Sequence, residues 1–536
     1  MSTKRPSLLN TIFIIHLVLF GLVITGVLSR DIVTILTIWL VFYFIWAPLE
    51  DSGAYFVRSI PFFMAIPLTP SFDQFNMWRI LSAVIFLKWF FVGGLADMWP
   101  GFINFFKKPI RFLTKHEFIF LSGLLLFMAT LSLTQTQDLT SGIKRVIYFI
   151  NLSLVGIVLY SLILKNKDYS QRIIKNLAIP TIIVTVLGFV QLSMTYLMDI
   201  YGFMRVWGEG IECKLFGEEW CYIASWVGNT WFAYFGEQLS LRVFSIFPDS
   251  HSFPLFILFG LPSIFAIALT RATSKTGHST KALFKTRAKW FVLWVPVILL
   301  AIILSGTRGM WLAGISTLIG SFIFATIFLR NHMHEKNVFK YLSSYILIFV
   351  LLFMVAYPIF ASPQFLLNKD NSDLLSNRVR SIIDFGETSN SLRLEIWQKT
   401  FESIKKRPWL GVGIGNFPVV LEQDVTLARA GSSAHNLYLN IFAEMGMIAF
   451  MASLLFLFLM LVKMYNNYIK ESDWFIKTYF ASTLLFVMWG LLYLMTDIVL
   501  FDERAFLIFS SIVALTLGIN NSNSAGKNWF SKFFNI

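Results

Sequence analysis

The chain has 536 residues, of which 56% are hydrophobic and 14% are charged, and its mean hydropathy is +0.68. A soluble protein carries about 25% charged residues, so this composition excludes a single soluble domain. The net charge of +14 comes from Lys and Arg residues gathered in short loops between apolar blocks, which indicates membrane topology and excludes a basic nucleic-acid-binding domain.

The apolar blocks have close to the roughly 20 residues that a helix needs to cross a bilayer, and they favour helices over barrel strands. We therefore predict an all-α, polytopic transmembrane helical bundle of about 13 or 14 spans, forming a single membrane domain over residues 1–536. The count depends on the stretch from Tyr55 to Pro70, in which Arg58 and three prolines allow either a short span or a re-entrant segment.

In chain order, the blocks and the loops between them divide this domain into five parts. The first block follows only MSTKRPS and is too long for a cleaved signal peptide, so it is expected to remain as the first span. Lys- and Arg-rich loops are expected on the cytoplasmic side, which places the two longest loops outside. The predicted parts are the N-terminal spans (1–200), a first long outer loop (199–250), the middle spans (251–360), a large outer loop (361–434) and the C-terminal spans (435–536).

The first outer loop contains both cysteines of the chain, Cys213 and Cys221. They can form a disulfide in an oxidising compartment or remain two free thiols. The same loop contains Arg242 near its end, just before an apolar block. An arginine at the membrane boundary costs about 2.5 to 3.5 kcal/mol on insertion scales unless it snorkels or has a partner, so Arg242 is either a snorkelling interface residue or a binding residue.

Arg308 lies in the sequence SGTRG, between two apolar blocks. The small residues around it leave backbone N–H groups and the guanidinium accessible, and a planar fork of donors matches phosphate oxygens. Turn-forming glycines between two spans would give a similar pattern without any ligand. Arg308 is therefore a candidate anion-binding residue.

The large outer loop contains a predicted amphipathic helix. One face carries Leu392, Ile396, Thr400 and Ile404, and the opposite face carries Glu395, Lys399, Glu402 and Lys406. Arg393, in its first turn, can reach a headgroup or can simply be solvated. The stretch Gly411–Gly415 that follows is predicted to be a flexible or tightly turned loop, because no strand precedes it as a dinucleotide site requires.

His435 opens the next apolar block, where Ser432 and Ser433 are expected to cap the helix. An imidazole with an ordinary pKa near 6.5 can act as a general base for a sugar hydroxyl, although a lone histidine there is also typical of a structural interface. Asn436 beside it is a candidate substrate-binding residue. Further along, Asp497 and Arg504 are expected to pair with neighbours. No Cys/His metal spacing occurs, and neither a metal nor a cofactor is expected.

Together these segments resemble the O-antigen ligase and O-antigen polymerase superfamily of bacterial envelope glycosyltransferases. The resemblance covers residues 242–446. It rests on the arginine before Phe-Pro, the SGTRG turn, the R-x-x-x-W of Arg393 and Trp397 followed by PWLGVG, and the His-Asn pair followed by Glu444-Met445-Gly446. The sequence departs from many relatives at Asp249-Ser250-His251, where an asparagine-rich turn is expected.

The resemblance implies a GT-C-like membrane enzyme that takes a glycan from undecaprenyl diphosphate and joins it to a hydroxyl of a glycan, lipid or protein acceptor. The reaction would be inverting and metal-independent, at the periplasmic face of the bacterial inner membrane. Arg308 and Arg393 match the arginines that hold the diphosphate, Arg242 matches a further donor-site arginine, and His435 matches the proposed base.

A transporter or flippase of lipid-linked polysaccharide precursors is the alternative of another class. Such a protein is expected to contain inverted repeats or broken, charged helices in the middle of the membrane. In this sequence the ionisable residues gather instead in the outer loops and on one face of the membrane. The sequence therefore favours the enzyme.

Overall fold

A computed structural model describes residues 8–68, 75–94, 116–217, 220, 228–235, 238–276, 288–328, 335–366, 388–424 and 432–519. Helices form almost all the regular structure of these residues, which confirms the predicted all-α fold. The N-terminal helices are α1 (Leu8–Ile24), α2 (Ile32–Trp46), α3 (Leu49–Ser59), α4 (Met77–Trp89), α5 (Glu117–Ser132), α6 (Leu139–Lys165) and α7 (Lys167–Met194). They are followed by α8 (Ser252–Thr276), α9 (Ala288–Leu304), α10 (Arg308–Phe328), α11 (Glu335–Ala361), α12 (Thr388–Lys406), α13 (Leu437–Lys470), α14 (Trp474–Tyr493) and α15 (Glu503–Gly518).

Seven helical segments of the described residues are long and apolar enough to cross a membrane, and they correspond to α4 to α7, the first 18 residues of α8, α13 and α14. Four shorter apolar helices of 10–17 residues correspond to α1, α2 and parts of α9 and α11. The chain is therefore a multi-pass membrane protein. The total of 13 or 14 crossings stays a prediction.

The stretch predicted as a short span or a re-entrant segment contains the end of α3 and a 3-10 turn, Ile60–Phe62. With 11 residues, α3 is about 17 Å long, too short to cross a hydrocarbon core of about 30 Å by itself. Residues 54–57 are fully buried in the protein. These features match the re-entrant alternative, although residues 69 and 70 lie outside the described residues.

The helix α8 is at the centre of the bundle, where it packs against α7, α9, α14 and α15. Of its apolar window Ser252–Leu269, 89% is buried. A helix that is apolar on all sides is stable where lipid or other helices surround it, and α8 is surrounded mainly by other helices. The start of α8 is therefore held firmly, and the candidate site lies at this end.

A short β-hairpin, which the sequence analysis did not predict, interrupts the first outer loop. Strand β1 (Phe232–Phe235) pairs antiparallel with β2 (Gln238–Leu241). Two hydrogen bonds dock the hairpin beside the end of α11: Ser240 Oγ donates to Phe360 O at 2.8 Å, and Leu241 N donates to Gln364 Oε1 at 2.8 Å. Because Arg242 directly follows β2, the hairpin fixes where this arginine enters the bundle.

The cysteine alternatives are decided in favour of a disulfide at Cys213. Cys213 is disulfide-bonded and buried. The other cysteine of the sequence, Cys221, lies outside the described residues.

The helix predicted in the large outer loop is present as α12. Thr400 and Ile404 are buried, and Ile396 packs with Ile404 in a small apolar cluster against the start of α13. Leu392 is the exception, because 53% of it is exposed. The predicted helix is therefore confirmed, and its apolar face packs on the protein from Ile396 to Ile404. Contact of Leu392 with the membrane surface, which is the other position expected for an apolar face of this helix, stays a prediction.

A break in α13 joins the large outer loop to the membrane helices. Gly446 has φ 79° and ψ −178°, which is not helical. The loop that follows α12 bonds to the backbone groups beside the break: Val412 N donates to Ala443 O at 2.9 Å, and Gly413 N donates to Glu444 O at 3.0 Å. Because these bonds replace the interrupted helical ones, the glycine-rich loop is tightly turned rather than flexible.

Substitution Gly446→Ala should destabilise the protein. A side chain at this φ is strained, which costs about 1–3 kcal/mol, and a Cβ there would also overlap the carbonyl of Trp409. We expect a lower thermal unfolding temperature and loss of folded protein in detergent. The matched control is Gly320→Ala in α10, where a Cβ meets nothing within 4 Å. Equal unfolding temperatures for the two variants would contradict this reading of the break.

Candidate active site

Three helix starts and one helix end meet at one end of the bundle. Thr307 Oγ1, before α10, donates to Ser250 O, before α8, at 2.8 Å. Leu437 N, at the start of α13, donates to Leu494 O at 2.9 Å and to Asp497 O at 3.1 Å, both after α14. Helix N-termini carry partial positive charge and exposed N–H groups. The three helix starts therefore add partial positive charge at this end of the bundle.

Arg242 is buried at this meeting point, with 8% of its surface exposed. Its Nε donates to Ser305 O at 3.3 Å, and one terminal nitrogen donates to Thr307 Oγ1 at 3.2 Å and contacts His251 Nε2 at 3.0 Å. Gly306, with φ 64°, lies against the Arg242 side chain, where a Cβ would come within 3.0 Å of its Cγ. The glycine of the SGTRG turn is thus needed for the close packing of Arg242.

The charge of Arg242 persists despite its burial. Desolvation lowers the pKa of Arg242 to about 10, and the positive charge of Arg308 acts in the same direction. The carboxylates of Asp249 and Asp497 oppose this effect. A pKa of about 10 leaves the guanidinium protonated at neutral pH, so this buried group is a permanent cation.

His251 lies between Arg242 and Asp497. Its Nδ1 is 3.5 Å from Asp497 Oδ2, while its Nε2 faces the Arg242 guanidinium. Burial lowers the pKa of His251 to about 3; the positive charges of Arg242 and Arg393 lower it too, whereas Asp497 opposes them. His251 is therefore neutral at physiological pH, and its contact with Asp497 is not an ion pair.

Asp249 caps the central helix beside this cluster. Its Oδ1 accepts hydrogen bonds from His251 N at 2.8 Å, from Ser252 N at 2.8 Å and from Ser252 Oγ at 2.9 Å. Side-chain acceptors at this position satisfy the free N–H groups of a helix start. The Asp249-Ser250-His251 sequence thus performs a local capping function and presents His251 to Arg242.

Arg308 and Arg393 approach the same cluster from two other elements. Arg308 is the first residue of α10, is half-buried, and acts electrostatically on Arg242. Arg393 is half-buried on α12, and its charge acts on both His251 and His435. The helix α12 is held over the site because Trp397 Nε1 donates to Ala434 O at 2.8 Å.

His435 is half-buried directly before α13, in a left-handed turn with φ 45°. Its backbone N–H donates to Ser433 Oγ at 3.2 Å. Burial lowers the pKa of His435, Asp497 opposes this effect, and the positive charge of Arg393 adds to it. The structure thus brings His435 into electrostatic contact with Arg393 and with the carboxylate that faces His251.

The predicted cap of α13 was wrong in its residues. Asn436, not Ser432 or Ser433, is the N-cap: its Oδ1 accepts from Tyr438 N at 3.0 Å and from Leu439 N at 3.1 Å. The left-handed turn at His435 places the serines outside the helix, so their hydroxyls cannot reach its first N–H groups. The Oδ1 of Asn436 is therefore engaged by the helix, and substrate binding by this residue stays a prediction.

Sequence reasoning missed His251 as a site residue and did not identify the partner of Asp497. The available signal was the Asp-Ser-His sequence directly before an apolar block, which is a helix-start pattern. The residues are far apart in the chain, so their contact could not be predicted. No group of three or more His, Cys, Asp or Glu side chains suited to a metal ion lies within the described part of the chain.

Comparison with known proteins gives one family match. Residues 292–454 match the family model described as O-Antigen ligase. No curated protein matches the chain. The matched segment contains Arg308, Arg393 and His435, whereas Arg242 and His251 precede it. The match confirms the resemblance to the O-antigen ligase and polymerase superfamily and supports a membrane glycosyltransferase of ligase or polymerase type.

Proposed function

We propose, from this family match and the site residues, that the protein transfers a glycan from undecaprenyl diphosphate to an acceptor hydroxyl at the outer face of the bacterial cytoplasmic membrane. The observation that carries the proposal is the convergence of Arg242, Arg308, Arg393 and His435 where three helices start. The family resemblance adds that the transfer inverts the anomeric centre and uses no metal.

The arginines suit the donor side of this reaction. A glycan diphosphate is already a good leaving group, and its departure requires stabilisation of negative charge more than protonation. Fixed guanidinium groups in a poorly hydrated site stabilise developing charge strongly, and their planar donors match phosphate oxygens. The positive end of α10 acts in the same direction, whereas Asp249 and Asn436 already cap the starts of α8 and α13. We therefore assign the diphosphate to the space between Arg242, Arg308 and Arg393.

His435 suits the acceptor side. In the proposed step its neutral imidazole accepts the proton of the acceptor hydroxyl while that oxygen attacks the anomeric carbon. The bond between the anomeric carbon and the diphosphate oxygen breaks, and undecaprenyl diphosphate leaves with the electron pair. The proton then passes from His435 to water. A positioned general base of this kind contributes about 10²–10⁴ in rate.

The pH dependence of transfer follows from the environment of His435. Its pKa lies below 6.5, so the imidazole is a competent base at neutral pH and becomes protonated only in more acidic solution. We expect glycan transfer at saturating donor to fall on an acid limb centred below pH 6.5. The pKa of His251, about 3, lies too low to produce this limb. An acid limb centred at or above pH 7 would contradict the role given to His435.

An assay that records on which side of the membrane the donor lies distinguishes the enzyme hypothesis from the transporter hypothesis. The protein is reconstituted in proteoliposomes with repeat units linked to undecaprenyl diphosphate, and mass spectrometry follows glycan length, carrier release and the side on which the donor is found. The proposal expects longer glycans or, with an added acceptor, a glycosylated acceptor. Lengthening with donor alone indicates a polymerase, and a requirement for a second acceptor indicates a ligase. Donor that crosses the membrane without any product would support the transporter.

A further inference from the structure

The protonation pattern of His251 follows from its contacts. The Arg242 guanidinium carries only N–H donors, so His251 Nε2, 3.0 Å away, must accept its hydrogen bond. The single proton of the neutral imidazole is therefore on Nδ1, which faces Asp497 Oδ2 at 3.5 Å. The ring connects a cation on one side to a carboxylate on the other without carrying charge itself.

Asp497 is fixed by its own backbone contacts. Its Oδ1 accepts from Ile498 N at 2.7 Å, which orients the carboxylate. Its main-chain carbonyl accepts from Leu437 N at 3.1 Å, at the start of the helix that follows His435. A continuous series of contacts therefore runs from Arg242 through His251 and Asp497 to the backbone beside His435.

We propose that His251 is a positioning residue of the donor site, in which the Nδ1-protonated ring holds the Arg242 guanidinium toward the diphosphate and anchors it to Asp497. The inference rests on the proposed function, because it takes the diphosphate as the ligand of Arg242. It adds a residue outside the matched family segment, at the position where the sequence departs from the asparagine-rich turn of many relatives.

The surrounding charges support a permanently neutral ring. The charged or titratable groups that act on His251 are Arg242, Asp497, Arg393 and His435, and Asp249 holds its backbone N–H. A proton on Nε2 would point at the Arg242 guanidinium, so the acceptor role would be lost. With a pKa of about 3, His251 keeps that role over the whole physiological range. The side-chain amide of Asn can occupy the position of Nδ1, and that of Gln can occupy the position of Nε2.

Two isosteric variants separate the contacts of His251. In His251→Gln the side-chain amide reaches the position of Nε2 and can still accept from Arg242, whereas in His251→Asn it reaches only the position of Nδ1. The measurement is the dissociation constant of undecaprenyl diphosphate for each full-length protein in nanodiscs. A hydrogen bond to a charged group predicts about 10-fold or weaker binding for Asn, and binding within about 3-fold of wild type for Gln.

A third variant tests whether the His251 ring is neutral or protonated. In Asp497→Asn a single amide oxygen replaces the two carboxylate oxygens that face His251 Nδ1–H and Ile498 N, so one of these contacts is weakened. Because no ion pair is lost if His251 is neutral, donor affinity should fall no more than about 3-fold. A 10-fold loss would instead indicate a protonated, ion-paired His251 and would overturn the inference. Thermal unfolding temperatures of all variants identify any that fail to fold, and the other two then decide.

The outcomes also separate this inference from the proposed function. If wild type binds the lipid and the Gln and Asn variants bind it equally, His251 does not position Arg242 and only this inference fails. If wild type does not bind undecaprenyl diphosphate, the donor site itself is wrong and the inference fails with it. Binding without any transfer activity leaves the role of His251 supported and removes the proposed reaction.

Discussion

Substitution His435→Ala should lower the rate of glycan transfer about 10²–10⁴-fold, because the acceptor hydroxyl loses its general base. Donor binding should stay close to wild type, since the arginines that face the diphosphate lie on other elements. The His435 side chain is half-buried in a turn before α13, and the helix cap is formed by Asn436 instead. We therefore expect the variant to fold, and its acid limb in the pH–rate profile to disappear.

The control for this variant is His116→Ala. His116 also lies directly before a helix, α5, and is half-buried, but it is not part of the site. We expect its transfer rate to match wild type. The measurement is single-turnover product formation at saturating donor and acceptor. A His435→Ala rate above one tenth of wild type would show that a group other than His435 accepts the proton of the acceptor hydroxyl.

Substitution Arg308→Ala should lower transfer about 10²–10³-fold, the loss typical of one missing electrostatic contact to a developing negative charge. Arg308→Lys should recover only part of this, because lysine supplies a point charge without the planar fork that matches two phosphate oxygens. The comparison of Ala with Lys separates the contribution of charge from that of geometry. The measurement is the rate of undecaprenyl diphosphate release at saturating donor.

Arg407→Ala is the matched control for the loss of a positive charge. Arg407 is exposed after α12, and the backbone of this residue, rather than its side chain, bonds to the glycine-rich loop. Its rate is expected to stay within about 2-fold of wild type, because solvent screens the interactions of an exposed charge. Equal losses for Arg308→Ala and Arg407→Ala would mean that general electrostatic attraction, not a defined diphosphate site, determines the rate.

Periodic features were predictable from the sequence. The apolar blocks predicted the helices of the bundle, and the spacing of Ile396, Thr400 and Ile404 predicted the buried face of α12. Both predictions depend on the spacing of apolar residues along the chain, which a single sequence contains. The exposure of Leu392 on the protein surface was not predictable, because whether a helical residue packs on the bundle also depends on where the neighbouring element begins.

Contacts between distant segments were not predictable. Arg242, His251 and Asp497 meet only because α8 and α10 both pack against α14, and no local pattern records that packing. The β-hairpin is short and lies among aromatic residues, so its strand pattern was not distinguishable from loop sequence. The break in α13 at Gly446 was not predictable either, because it is stabilised by backbone groups of residues 412 and 413, which lie in another segment of the chain.

The proposed reaction is tested most directly by carrier release in one assay. Purified wild type and the Arg308→Ala and His435→Ala variants are incubated in nanodiscs with undecaprenyl-diphosphate-linked repeat units and a hydroxyl acceptor, and free undecaprenyl diphosphate is measured by mass spectrometry. The proposed mechanism predicts carrier release coupled to glycan transfer in wild type and almost none in either variant. Carrier release at the wild-type rate in both variants would contradict the proposed site.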